Sequence, residues 1–169
     1  MPNFQVKPEF KTPKVKIETN TKKERQAAMA GLIKGIQAGG AQVESALPAL
    51  LDEALESNVW SWPGQTFRQN GSVAGSTRNI VDTGKLKGSG TVKAKFLKTK
   101  TVFLIEYKAP YAALVHEGGY VLPYGDSSRE RKFIPGRPWI SAVLTGQQPG
   151  VKYLDVESYM AESVANAWG

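Results

Sequence analysis

Between residues 23 and 58 apolar side chains return at every third or fourth position: Ala27, Ala28, Ala30, Leu32, Ile33, Ile36, Val43, Ala46, Leu47, Leu50, Leu51, Ala54 and Leu55. That period commits the stretch to an amphipathic helix, whose apolar stripe must be covered by the rest of the chain. Thr21 suits the N-cap, and Glu24 three residues on completes a capping box. Gly39-Gly40 and Pro48 interrupt the run. The pattern therefore predicts either one long helix with a weak point or two helices, about 23–38 and 41–57. Asp52, Glu53 and Glu56 fall on its polar side.

The second strong pattern has a period of two. Val92, Ala94 and Phe96 alternate with Thr91, Lys93 and Lys95, and Val102, Leu104 and Glu106 alternate with Phe103, Ile105 and Tyr107. With Lys98-Thr99-Lys100 as the turn, residues 91–108 predict a β-hairpin. Its second strand is apolar on nearly both faces, so each face needs cover. After Pro110, Tyr111 to Glu117 fits a two-turn helix that Gly118 ends in left-handed geometry. Residues 120–132 read as a polar loop. Pro138 suits the first position of a helix running through Trp139, Ile140, Val143 and Leu144. A last helix over about 154–168 places Val156, Tyr159, Met160, Val164, Ala167 and Trp168 largely on one face.

The remaining stretches are irregular. Residues 1–25 carry seven basic and three acidic side chains with three prolines. They read as an extended basic arm, residues 1–22, ahead of a single domain, 23–169. The arm can order on a neighbouring subunit, and Lys14-Val15-Lys16-Ile17-Glu18 favours an edge strand there. Residues 58–90 read mostly as loop, long enough to suggest contact with a partner. Within it Trp60 and Trp62 either pack under the core edge or insert into another chain.

Composition removes several kinds of chemistry. The chain of 169 residues has no cysteine, which excludes disulfides, thiolate metal sites and a Cys nucleophile. His116 is the only histidine, so a multi-His zinc site is excluded too. No stretch reaches the roughly 18–20 apolar residues of a membrane span, and Met1 to Pro8 lacks the apolar core of a secretory signal. Phosphate-loop and nucleophile-elbow motifs are absent. The best enzymatic lead is Glu106-Tyr107-Lys108 with Asp82, similar to the acid-x-Lys signature of Mg²⁺-dependent nucleases. His116 reads as a structural or interface histidine.

The charge balance, 22 Lys+Arg against 15 Asp+Glu, gives +7. Lys85, Lys87, Lys93, Lys95, Lys98 and Lys100 fall in a stretch without acids and could contact DNA phosphates or an acidic protein. Aromatic interleaving for base stacking is thin there.

Three landmarks follow one another in order: Asp82-Thr83-Gly84-Lys85-Leu86-Lys87-Gly88-Ser89, then Tyr111-Ala112-Ala113-x-x-His116-x-Gly118, then Ile134-Pro135-Gly136-Arg137-Pro138-Trp139-Ile140. Over about residues 25–145 this order resembles the tailed-phage tail-component family of head–tail joining, tail-completion and tail-terminator proteins. The chain differs from the family pattern in its basic arm, its Trp60/Trp62 loop, and Gly119 where the family often has Thr. The resemblance implies an α+β fold: a small antiparallel sheet packed against a long N-terminal helix and a C-terminal helix, with an extended arm and long loops. It implies a non-enzymatic virion protein of the head–tail junction, assembled in the host cytoplasm, with no cofactor and no membrane contact. It also implies a homo-oligomeric ring, commonly of six copies, joined head to tail around the axis. Such a ring would meet neck or connector proteins on one side and tail tube or sheath proteins on the other, around a DNA channel. A tail terminator or completion ring is the leading expectation, with a head–tail adaptor or stopper next. From another class, the alternative is a non-specific DNA-binding protein. In the ring role Tyr111, His116, Gly118, Arg137, Pro138, Trp139, Trp60 and Trp62 are the interface and structural candidates. Tyr111 and Trp139 would anchor the short helix on the sheet, and Arg137, between prolines, would present a fixed fork to a carboxylate.

Overall fold

A computed structural model describes residues 3–11, 21–62, 66–68, 70–97, 100–122 and 130–168. The fold is α+β, with a long N-terminal helix packed against small antiparallel sheets and a C-terminal helix. By internal contacts the chain forms two compact units. One comprises Met1–Phe4, Ala49–Gly90 and Glu106–Tyr153, and the other Gln5–Pro48, Thr91–Ile105 and Leu154–Gly169.

The helical period resolves into one helix, α1 (Lys22–Glu56). Its start is the expected capping box: Glu24 N–H donates to Thr21 Oγ1 at 3.2 Å, and Thr21 N–H donates to Glu24 Oε2 at 3.0 Å. Neither Gly39-Gly40 nor Pro48 breaks it. Pro48 is exposed and lacks a donor, an interior cost of about 3 kcal/mol. The burial of Val43, Leu47, Leu51 and Leu55 along one stripe outweighs that cost.

The hairpin, most of whose residues fall in the second unit, is β7 (Gly90–Phe96) and β8 (Lys100–Tyr107). Lys98 and Thr99 of the expected turn lie outside the described residues, as does the Lys14–Glu18 segment. Two further strands, β1 (Phe4–Val6) and β2 (Glu9–Lys11), also pair with β8. A strand has two edges and β7 holds one, so β1 and β2 follow each other along the other. The β2 register sets Glu9 opposite Val102 and Phe10 opposite Thr101. Phe10 meets Phe103 edge-on at 5.7 Å, and Lys100 pairs with Glu9 at 2.7 Å. These residues of the basic arm join the chain's own sheet, where the sequence suggested a neighbour's.

Of the two glycines read as a weak point, Gly39 is a packing position against the C-terminal helix, as is Gly35 one turn earlier. A Cβ on Gly35 would come within 2.8 Å of the Val164 Cα, and one on Gly39 within 2.9 Å of the Ser163 Cβ. Both face α4 (Val156–Trp168), which also binds α1 through Ser163 Oγ donating to Gly35 O at 3.2 Å. Asp155 caps α4: its carboxylate accepts from Ser158 N–H at 3.0 Å and Ser158 Oγ at 2.8 Å, and the backbone bond is the main reason its carboxyl is held below the usual range. Glu44 Oε1 accepts from Ala94 N–H at 2.9 Å and so ties α1 to β7.

In the first unit residues 58–90 are more ordered than their composition suggested. β3 (Trp60–Ser61) pairs with β6 (Thr77–Arg78), and β4 (Thr66–Phe67) with β5 (Val73–Ala74), all antiparallel. The result is one nested hairpin closed by Arg68 N–H to Ser72 O at 2.8 Å. The expected loop over 120–132 is also partly sheet. β9 (Gly118–Val121) pairs with β10 (Lys132–Pro135), and Tyr120 faces Phe133 at 5.3 Å. Between them in the chain lies a segment outside the described residues. α2 (Ala112–Glu117) precedes β9, and α3 (Trp139–Thr145) follows β10.

Candidate functional site

The three landmarks all lie within the first unit, and several of their residues have a local task. In the first, Gly84 sits at φ +75° and Leu86 is buried. Ser89 closes the loop: its Oγ donates to Leu86 O at 2.8 Å and accepts from Ala109 N–H at 3.1 Å. In the second, α2 runs from buried Ala112 to buried His116. Gly118 then takes φ +79° with ψ 175°. That is not the left-handed helical geometry expected, because the extended ψ sends the chain straight into β9. In the third, Arg137 N–H donates to Val115 O at 2.9 Å, which fastens this segment to α2.

Gly118 and Gly136 are where these segments cross. A Cβ on Gly118 would lie 2.4 Å from Gly136 N, and one on Gly136 would lie 2.7 Å from the Glu117 carbonyl group. Real Cβ contacts of that length do not occur, so the crossing needs both glycines. Pro138 does not open the helix as expected. Its φ −78° and ψ 67°, with Trp139 N–H donating to Arg137 O at 2.8 Å, form an inverse γ-turn. Its carbonyl then accepts the first helical bond, from Ala142 N–H at 2.9 Å.

Trp139 is the aromatic hub. It is fully buried, with Tyr107 edge-on at 5.2 Å, His116 edge-on at 4.8 Å and Phe4 at 6.3 Å. Tyr111, expected as its partner anchor, is 36 % exposed. The packing falls to Tyr107 instead, and burial pushes the Tyr107 hydroxyl up to about 12.

His116 Nδ1 lies 2.7 Å from Glu117 Oε1, so the neutral ring carries its proton there and donates it. Nε2 is buried with no hydrogen-bond partner. Burial pushes the His116 pKa down, against the opposing pull of Glu117. Among the described residues a proton on Nε2 would find no acceptor, and the ring packs against Phe4 and Trp139. Glu106, from the nuclease-like triplet, accepts from Asn3 Nδ2 at 2.8 Å. Among the described residues no group of three or more acidic or histidine side chains is placed to hold a metal ion.

The two tryptophans diverge. Trp60 is buried and donates Nε1–H to Ala54 O at 2.8 Å. Trp62 is half-buried, and two guanidinium groups lie over its ring: Arg137 Cζ at 3.6 Å and Arg78 Cζ at 4.4 Å from the centroid. These are close cation–π contacts. Arg137 is only 5 % exposed, yet its Nε and Nη2 lack hydrogen-bond partners among the described residues. The fork expected to hold a carboxylate lies instead against an indole. Burial pushes the Arg137 guanidinium down to about 10, and Arg78 adds to the effect. It still carries its charge at neutral pH. Burial also lowers the Arg78 pKa, helped by Arg68 and opposed by Asp82. Arg68 donates to the Val81 carbonyl and to Asn79 Oδ1, the latter at 2.9 Å, both neutral acceptors.

Two of the six lysines are paired with acids of the same chain. Lys87 binds Glu56 at 2.6 Å and Asp52 at 3.7 Å, and Lys100 binds Glu9. Lys85, Lys93 and Lys95 are exposed, and Lys98 lies outside the described residues. Lys85 and Lys87 belong to the first unit, whereas Lys93, Lys95 and Lys100 belong to the second.

The arginine cluster around Trp62 is the feature that sequence reading missed. Arg68 and Arg78 are visible as basic residues in a loop, but the nested hairpin that gathers them has strands of two residues each. Such strands leave no readable period. No family model, curated protein or solved structure matches the chain. No helix among the described residues is long and apolar enough to cross a membrane.

Proposed function

We propose that this chain is a structural subunit of a tailed-phage head–tail junction, forming a ring that terminates or completes the tail tube. The observation that carries this reading is the crossing of the second and third landmark segments at Gly118 and Gly136, with the first landmark sharing a cleft with Tyr111, Val115 and Arg137 of the other two. The residues that make up the resemblance are thus parts of one small architecture. In this reading the ring closes by head-to-tail contacts between copies, commonly six, and leaves a channel for DNA. Neck or connector proteins dock on one side, and the tail tube or sheath on the other. Work is done by surface fit, with no bond made or broken. The exposed Tyr120–Phe133 pair on the β9–β10 hairpin, 69 % and 57 % exposed, supports an interface there.

Negative-stain imaging of the purified chain, alone and mixed with tail tubes, tests the proposal. It predicts closed annuli that cap tube ends. Isolated particles that ignore the tubes, together with duplex binding that falls steeply as salt rises, favour the DNA-binding alternative.

A further inference from the structure

Arg137 presents a physical problem. A guanidinium buried to this degree is ordinarily paired with a carboxylate or fully hydrogen-bonded, because a buried charge without a counter-charge is costly. Among the described residues Nε and Nη2 have no partner, and the charge that acts on the Arg137 guanidinium is the like charge of Arg78. The indole of Trp62 supplies a π face but no acceptor.

Arg137 also lines a cleft of about 190 Å³ together with Trp62, Arg68, Arg78 and Asp82. Three arginines thus face one carboxylate in that cleft. Arg68 is turned to a carbonyl and an amide oxygen, so its charge is not neutralised by those bonds. The lining holds an excess of two positive charges beside an orphaned fork. Guanidinium groups of this kind recognise planar or tetrahedral oxyanions through paired N–H donors. The volume accommodates one such group.

We propose that the cleft formed by Arg137, Arg78, Arg68 and Trp62 is a binding site for a single oxyanion, a carboxylate or a phosphate, supplied from outside this chain. The anion meets the three guanidinium groups that line the cleft and relieves the repulsion between Arg78 and Arg137. A carboxylate source is an acidic side chain of another protein, and a phosphate source is a free phosphate group. The inference does not depend on the ring reading, since either source can exist with or without a ring.

The test is thermal unfolding of the full chain in inorganic phosphate or in acetate, against chloride at matched ionic strength. Wild type and Arg137→Met are compared. The expected result is a midpoint rise of roughly 5–10 °C in wild type once the anion reaches about a hundred times its dissociation constant. Arg137→Met shows no such rise. A larger response to acetate identifies the carboxylate source, and a larger response to phosphate identifies the other. Equal shifts in both proteins, or none in either, overturn the proposal. If Arg137→Met does not fold, Arg78→Gln decides: a reduced anion response upholds the site, and an undiminished one overturns it.

Discussion

His116 shows how burial turns a potential base into a packing group. Its ring is held between Phe4 at 4.9 Å and Trp139 at 4.8 Å, and its free nitrogen faces no acceptor. The folded-state pKa lies below the ordinary value near 6.5, with burial as the chief cause. The unfolded chain therefore binds more protons in the window just below pH 6.5. Stability falls as pH drops through that window, down to the folded pKa. Thermal unfolding between pH 8 and 5 is predicted to show this decline. His116→Phe keeps the aromatic packing and is predicted to flatten it. An unchanged slope in the variant would place the acid sensitivity elsewhere.

Glycine does different work in different elements, and position in the fold decides which. On α1, Gly35 and Gly39 are flat ground for α4, whereas the nearest atoms a Cβ on Gly40 would meet are those of the Phe96 ring, a partly exposed side chain. Gly35→Ala is predicted to cost about 1–3 kcal/mol, because backbone must shift to admit the methyl group. Gly40→Ala is predicted to be neutral or to stabilise by up to ~1 kcal/mol through helix propensity. Denaturant unfolding of the two variants checks the contrast. At the crossing of the second and third landmarks, Gly136→Ala is predicted to cost about 3 kcal/mol or more, since the His116–Glu117 backbone stands in the way of the methyl group. A soluble variant with a wild-type unfolding midpoint would show that the crossing is looser than described.

For the molecule as a whole, the long-period signals were legible and the short ones were not. The capping box at Thr21–Glu24, the β7–β8 hairpin and α4 follow from patterns that run over many residues. The nested hairpin of residues 60–78 and the β9–β10 pair use strands of two to four residues, too short to show a period. Gly39-Gly40 could not be told from a helix breaker, because the helix it packs against lies more than a hundred residues away in sequence. The basic stretch from Lys85 to Lys100 read as a free patch, since the acids that engage Lys87 and Lys100 come from α1 and β2. At the candidate site the landmark residues were legible, but their meeting and the cationic cleft beside them exist only in three dimensions.

The central claim is that the chain assembles with further copies of itself into a closed ring. Native mass spectrometry of the purified full chain across a range of concentrations tests it most directly. The account predicts one closed species near six times the 18.4 kDa chain mass. A population of single chains at every concentration would contradict it.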